Sequence, residues 1–375
     1  MPPKDVIIAG GGLAGLTCAI HLSHFGLKVL LIEKNAYPKH KVCGEYVSNE
    51  VLPYLQSLGF DPFDHGAKKI DRVVISSQNG DQISAKLPLG GFGLSRYTFD
   101  SALLEKAISK GAAYLKDTVS DISFEGDQFR VETKENHTLY AKFVIGAFGK
   151  RSLLDQKMGR GFMEVRAPFL AAKAHYKGDY PEDLVGLYNF SGGYCGVSNI
   201  ENNTLNLCYI ADYAVFKKYK NLEEFREKVI FKNERLRDIF KQSEIKFDNP
   251  LTISQISFVS KPIVEDHVLM CGDSAGMIHP LCGNGMGMAI RSASILSETI
   301  LTYFGPGSVS REEIEKAYIK KWNLNFKKRV YTGRILARFF RKDYLSKYMV
   351  KILKIYPALF PMIISSTHGK PMKSI

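Results

Sequence analysis

An apolar run that stops at three glycines and restarts as a helix constrains this chain more than any other stretch. Val6-Ile7-Ile8-Ala9 reads as a strand buried on both faces, and Leu16, Ala19, Ile20 and Leu22 mark the apolar side of a helix. Between them lies Gly10-Gly11-Gly12-Leu13-Ala14-Gly15. In this pattern Gly10 permits the tight turn, Gly12 lets a pyrophosphate reach the backbone, and Gly15 brings helix and strand together. The helix N-terminus then offers unpaired N–H groups and a positive dipole end to an anion. A second strand, Lys28 to Ile32, ends at Glu33-Lys34, where the Glu33 carboxylate can hold a ribose hydroxyl. A glycine-rich turn in an unrelated α/β protein is the plainer reading. The strand, the helix and the acid, each at its expected place, favour a dinucleotide cradle. The chain shows one such cradle, so a nicotinamide donor would have to bind transiently, and a reduced carrier is the other source of electrons.

A second glycine motif stands more than two hundred residues downstream. His267-Val268-Leu269-Met270-Cys271-Gly272-Asp273-Ser274-Ala275-Gly276 reads as a strand ending in a turn, the returning segment of the same site. Between the two motifs, strand-like and helix-like stretches alternate with no sharp linker. Helices are expected near Ser48–Leu58, Asp100–Lys110 and Asn284–Tyr303, with two more between Asn221 and Gln242. Strands are expected near Arg72–Ser77, Gln82–Leu87, Asp117–Phe124, Gln128–Thr133 and Lys142–Gly146, and Phe169–Ile210 is β-rich and aromatic.

Composition sets the outer bounds. The chain has 375 residues, 45% of them hydrophobic and 24% charged, which is globular rather than disordered. No apolar signal segment precedes the first strand, so a cytoplasmic protein is expected, with its six scattered cysteines as reduced thiols and no zinc. The formal net charge is +13, and residues 326–375 carry twelve Lys and Arg against Asp343 alone. The rest is close to neutral, which argues against a nucleic-acid surface. In this tail Arg334, Arg338 and Arg341 recur beside Ile335, Leu336, Phe339 and Phe340, and Lys347, Lys351 and Lys354 share a helix with Tyr348, Met349, Ile352 and Leu353. Such a segment is either a helical lid with a solvated basic face or a peripheral attachment to an anionic membrane surface. The apolar run Ile355–Ile364 is too short to span a bilayer.

The set Gly10-x-Gly12-x-x-Gly15 with Glu33, Lys41-Val42-Cys43-Gly44-Glu45, Arg96-x-x-x-Asp100, Gly272-Asp273-Ser274-Ala275-Gly276 and Pro280-Leu281-Cys282-Gly283-Asn284-Gly285 resembles the geranylgeranyl reductase family. That family belongs to the FAD enzymes with the p-hydroxybenzoate hydroxylase fold. The resemblance runs from the first strand to about Ser297. It implies an α/β protein: a Rossmann-like FAD-binding domain (1–70, 96–165 and 262–305) interleaved with an antiparallel substrate-binding sheet (71–95 and 166–261), and a basic helical C-terminal region (306–375). It further implies FAD contacts from Gly10, Gly12, Leu13, Ala14, Gly15, Glu33, Lys34, Cys43, Gly44, Arg96, Val119, Ala147, Gly149, Gly272, Asp273, Gly283, Asn284, Gly285 and Met286. Asp273 would bond the ribityl chain, and the loop through Gly283 to Met286 would face the flavin pyrimidine edge.

The chain also departs from its apparent relatives. Ala147-Phe148-Gly149 stands where many hydroxylases carry Ala-Asp-Gly, and Ala275-Gly276 replaces their Ala-His. The tryptophan-and-tyrosine pattern of reductase substrate domains is not visible. Trp322 is the sole tryptophan, which leaves out the double-tryptophan signature of flavin halogenases and sets halogenation aside. Cys43 would lie near the flavin ring, and Glu45 would serve as a general acid if burial raised its pKa. The plainer readings are a small residue letting the loop pass and a salt-bridge partner. His279 either touches substrate or caps a turn, and Tyr188 and Tyr194 are candidates for an apolar substrate wall. The expected substrate is large and hydrophobic, such as a polyprenyl or lipid chain. Reduction of its carbon–carbon double bonds is favoured. Hydroxylation of a phenolic, polyketide or lipid-tailed aromatic is the alternative, and a flavin-binding membrane-surface protein without turnover is the third reading.

Overall fold

The computed structural model describes residues 2–307, 309–341 and 343–375; the side chains of Phe340, Arg341 and Asp343, named above, lie outside the described residues. Lys4–Ala9 forms the middle of a largely parallel sheet. Its neighbours are Val29–Glu33 on one side and Thr138–Gly146 on the other, and Ala113–Lys116 and Val268–Met270 lie outside them. Strands from residue 4 and residue 268 are therefore one strand apart, and the two glycine motifs emerge from the same sheet edge. The central residues Val6, Ile7 and Ile8 are fully buried, each stabilising by about 1.5–3 kcal/mol relative to exposure. Helices cover this sheet as the apolar spacing requires: Leu13–His24, with Arg96–Ser109 and Gly285–Phe304 packed against it.

The second sheet has nine strands and is antiparallel apart from one parallel pair, Leu184–Phe190 beside Lys68–Ser76. Its centre is Phe169–Lys177, Thr204–Asp212 and Gly193–Ile200. The fold class is thus the α/β architecture expected, with a Rossmann-like sheet, an antiparallel sheet and terminal helices. One segment departs from the expected division. Tyr46–Ser48, within the stretch 1–70, pairs with Gln82–Gly93 and belongs to the second sheet. Three residues cannot show a period, so this strand has no signature of its own.

The two faces of the second sheet have different roles. Tyr188, Cys195, Phe190 and Tyr209 point to one side, where Leu222–Lys228 and Glu234–Lys241 cover them. Tyr194, Ala171 and Ile210 point to the other, toward Leu353, Phe360 and Leu336 of the C-terminal helices. Those helices are Arg311–Arg341, Asp343–Ile355 and Leu359–Thr367. No helix among the described residues is long and apolar enough to cross a membrane.

Candidate active site

Gly10 sits at φ 113° directly under the returning chain, where a Cβ would stand 2.3 Å from the Ala147 carbonyl oxygen. No side chain caps the helix that begins at Leu13, so its first N–H groups stay free for an anion. Above Gly12 the nearest atom to a Cβ is Arg96 Nη2 at 3.8 Å, so the cradle is open and an arginine overhangs it. Glu33 Oε2 accepts from Gly11 N at 2.8 Å, and its Oε1 accepts from Asn35 N at 3.0 Å. This fixes the carboxylate at the strand end, as a ribose contact requires. The Tyr37 hydroxyl, which belongs to none of the sequence motifs, donates to Gly11 O. Lys34, in contrast, is exposed. Val119 is buried at the start of the hairpin strand Val119–Glu125.

Arg96 opens its helix with a two-pronged ion pair to Asp100 at 2.7 and 2.8 Å, and Lys41 joins the same carboxylate at 2.7 Å. Burial lowers the guanidinium pKa, but Asp100 and the Cys43 thiol beside it outweigh that and raise it, so Arg96 is a fixed cation. Glu201, at the far end of a sheet hairpin, accepts from Ser95 N and holds this helix start in place.

Glu45 is the hub of the site. Its backbone is left-handed at φ 54°, and its side chain is fully buried. One oxygen accepts from Arg96 N at 2.7 Å and from Lys173 Nζ at 2.5 Å, and the other meets His175 Nε2 at 2.7 Å. Burial pushes its pKa up, but Lys173 and His175 together hold it below the ordinary carboxylate value. The raised pKa that a general acid needs is therefore not present, and Glu45 is an anionic anchor. The loop around it rests on polar side chains of the sheet: Lys173 Nζ donates to Lys41 O, Asn206 Nδ2 to Cys43 O and Ser198 Oγ to Gly44 O. Lys173 and His175 went unremarked in the sequence. They alternate with alanines in Ala172-Lys173-Ala174-His175, and two polar side chains on one face of an otherwise apolar strand are the available signal.

The returning segment closes the cradle. Cys271 N donates to Gly146 O at 3.0 Å, and Gly149 N and O both bond Ser274 Oγ, so Ala147–Gly149 and Gly272–Ser274 lie side by side. Gly272 lies over the first helix, where a Cβ would meet the Ala14 Cβ at 2.8 Å. Asp273 O accepts from Lys261 Nζ, leaving its carboxylate out of that bond. Burial brings Lys261 down to about 8 against the pull of Asp273 and Asp155. The Gly285–Phe304 helix starts after Asn284 without a side-chain cap, and a Cβ at Gly285 would meet nothing. Two uncapped helix starts, at Leu13 and Gly285, thus stand near Gly272, with Met286 buried just inside the second. Fully buried Asn284 donates to Thr367 O at 3.0 Å, which ties this turn to the end of the last helix.

An apolar cavity of about 180 Å³ adjoins the site, walled by Phe169, Tyr194, Ile210, Phe258 and His279 and roofed by Arg334, Ala337 and Arg338. His279 combines the two roles the sequence offered. Its Nδ1 accepts from Leu281 N at 3.3 Å, capping the turn, while the residue lines the cavity. Burial brings its pKa down to about 4, so at neutral pH the ring is uncharged, with the remaining proton on Nε2. Tyr188 is not part of this wall. It pairs in register with Cys195 while Tyr194 pairs with Asn189, which puts the two tyrosines on opposite faces, and the Tyr188 hydroxyl meets that of Tyr180 at 3.1 Å. Trp322, from the long C-terminal helix, seals the other side of the returning segment, since a Cβ at Gly276 would come within 2.9 Å of its ring.

Fold and site together define an FAD-dependent flavoprotein. The model of the FAD binding domain family matches residues 4–311, and the chain belongs to that family. It is 26% identical over 318 residues, 79% of this chain and 78% of the relative, to 1H-pyrrole-2-carbonyl-[peptidyl-carrier protein] brominase of Pseudoalteromonas luteoviolacea. It is equally 26% identical over 339 residues, 85% and 80% of the two chains, to digeranylgeranylglycerophospholipid reductase of Methanosarcina acetivorans. In fold it resembles a geranylgeranyl bacteriochlorophyll reductase-like protein of Thermoplasma acidophilum, with a TM-score of 0.76, 20% identity and coverage of 96% and 98%. A triple mutant of the flavin-dependent brominase Bmp2 gives a TM-score of 0.80, 20% identity and coverage of 98% and 95%. Halogenases thus stand among the relatives, a class that the sole tryptophan of the sequence had set aside.

Proposed function

We propose that this protein is an FAD-dependent reductase of carbon–carbon double bonds in a polyprenyl or other lipid chain. The observation that carries the reading is the apolar cavity between the aromatic sheet face and the C-terminal helix, which adjoins the Pro280–Gly285 turn at His279. The similarity to digeranylgeranylglycerophospholipid reductases supports the same class. When bound, FAD supplies the hydride. Gly12 and the two helix starts would receive its phosphates and its pyrimidine edge, Glu33 its ribose, and Arg96 would balance its negative charge. Phe169, Tyr194 and Phe258 hold the chain and exclude water, and neutral His279 lines the cavity without bringing a charge into it. With Glu45 ionised and Lys41 held by Asp100, the Cys43 thiol is the proton donor this reading assigns on the Lys41–Glu45 loop. An outside electron donor, NAD(P)H or a reduced carrier, completes the cycle.

The brominase similarity favours one second reading, oxygen-dependent chemistry on an aromatic. Rapid mixing separates the two. The anaerobically reduced protein should be reoxidised quickly by a polyprenyl phospholipid and slowly by oxygen. A flavin hydroperoxide band on mixing with oxygen, prolonged by an aromatic substrate, would replace the first reading with the second. In the reductase, Cys43→Ser should keep FAD absorbance while reoxidation by lipid slows by about 100-fold, within the usual contribution of a positioned proton donor.

A further inference from the structure

The helix Asp343–Ile355 is apolar on two opposite faces. Ser346, Val350 and Leu353 are buried against the protein, and Leu353 and Phe360 share a cluster with the cavity residues Phe169, Tyr194 and Phe258. On the reverse side Tyr348, Ile352 and Ile355 are 68%, 44% and 60% exposed. The stripe continues past Tyr356, at 61%, into the last helix through Leu359 and Met362, the latter 66% exposed. A helix needs one apolar stripe to dock on its own protein, so a second one, followed in sequence by further exposed apolar residues in the next helix, calls for an external partner. Its flank is basic. Lys347, Lys351 and Lys354 follow the stripe at helical spacing and are all exposed, with Lys354 meeting Asp81 at 2.9 Å.

From these observations we propose that the outer face of the two C-terminal helices docks on an anionic lipid bilayer, lying in its surface. Charge decides the occupant. Asp343 is the sole acid in residues 326–375, so a symmetric pair of copies meeting through this face would bring lysine against lysine. Lipid phosphates instead neutralise the lysines while Tyr348, Ile352, Ile355 and Met362 enter the acyl boundary. Because the inner face of the same layer shares a cluster with Phe169, Tyr194 and Phe258, docking sets the helices that back the cavity against the lipid phase. The inference rests on the reductase reading only for what the membrane would deliver.

Flotation of the FAD-loaded full chain with vesicles tests it without turnover. Vesicles of phosphatidylcholine with about one-third phosphatidylglycerol should carry the protein, and phosphatidylcholine alone should carry far less. Lys347→Gln with Lys351→Gln should weaken binding about 30-fold, the equivalent of about 2 kcal/mol at about 1 kcal/mol per lysine. Ile352→Ser with Ile355→Ser should weaken it comparably, with FAD absorbance retained because both side chains are solvent-facing. Equal flotation with both vesicle types, or unchanged flotation of both variants, overturns the proposal. So does a dimer in sedimentation that Ile352→Ser and Ile355→Ser dissociate while vesicles bind nothing. A reductase assay in detergent is scored separately, so loss of that activity reading leaves the docking result standing.

Discussion

Glu45 carries a left-handed backbone, a fully buried charge and three hydrogen-bond partners on its two oxygens, and a single proton would undo it. Glu45→Gln should leave the Lys173 ammonium buried without its counter-charge and lower unfolding stability by about 3–5 kcal/mol in urea titrations. Replacing Lys173 by Met in the same chain should return most of that loss, whereas a role confined to chemistry would give no such rescue. Since the folded-state pKa of Glu45 lies below its ordinary value, its contribution is complete above about pH 4.5 and disappears as pH falls through the folded value. Two buried histidines act earlier on the acid side. His21, bonded to the Tyr54 hydroxyl, and His279 are both brought down to about 4 by burial. Between pH 6.5 and about 4 the unfolded chain binds protons there that the folded chain refuses. Stability should therefore fall on acidification through that window, by ~1.4 kcal/mol per pH unit for each histidine. Chemical unfolding at stepped pH should show that slope, and His279→Asn should flatten it by about half.

Elements show why part of this site was legible and part was not. The strand–glycine–helix unit at Val6–Leu22 and the returning strand at Val268–Met270 announce themselves, because their chemistry is local and glycine has few substitutes there. Side chains that meet across the sheet leave weaker traces. Glu45 is a candidate acid only if burial raises its pKa, and the partners that reverse that shift lie 128 and 130 residues away. Tyr188 looked like a wall residue because register, not composition, decides which face a strand residue takes, and a single position reverses it. The packing of Trp322 on Gly276 joins the helix Arg311–Arg341 to the returning segment and provides its own probe, since no other tryptophan is present. Gly276→Ala should overpack that contact at a cost of about 1–3 kcal/mol. Tryptophan emission should shift to the red and FAD should dissociate more readily. An unchanged spectrum with unchanged FAD retention would show that the helix yields freely at this contact. Ala337, in the cavity roof, offers the complementary experiment. Ala337→Trp should fill the cavity, preserve the flavin spectrum and abolish reoxidation by lipid.

At the scale of the molecule the cofactor belongs to no single stretch of chain. In the proposed site its surroundings would come from residues 10–15, 33, 41–45, 96, 147–149, 272–276 and 283–286, so binding should report on the fold as one unit. FAD at about 100 times its dissociation constant should raise the folding free energy by about 2.7 kcal/mol, and thermal unfolding should become FAD-dependent at every probe alike. Separate transitions for tyrosine and flavin signals would instead mean that the two sheets unfold independently. The last link is the bond from Asn284 to Thr367, supported where buried Glu50 accepts from Gly369 N and faces Arg291 and Arg329. A chain emerging from the ribosome presents its glycine cradle first, yet the turn opposite cannot be braced until some 350 further residues have followed. The turn opposite the cradle is thus latched from Thr367, and a chain shortened to stop before that residue should release its flavin on gel filtration while the full chain keeps it.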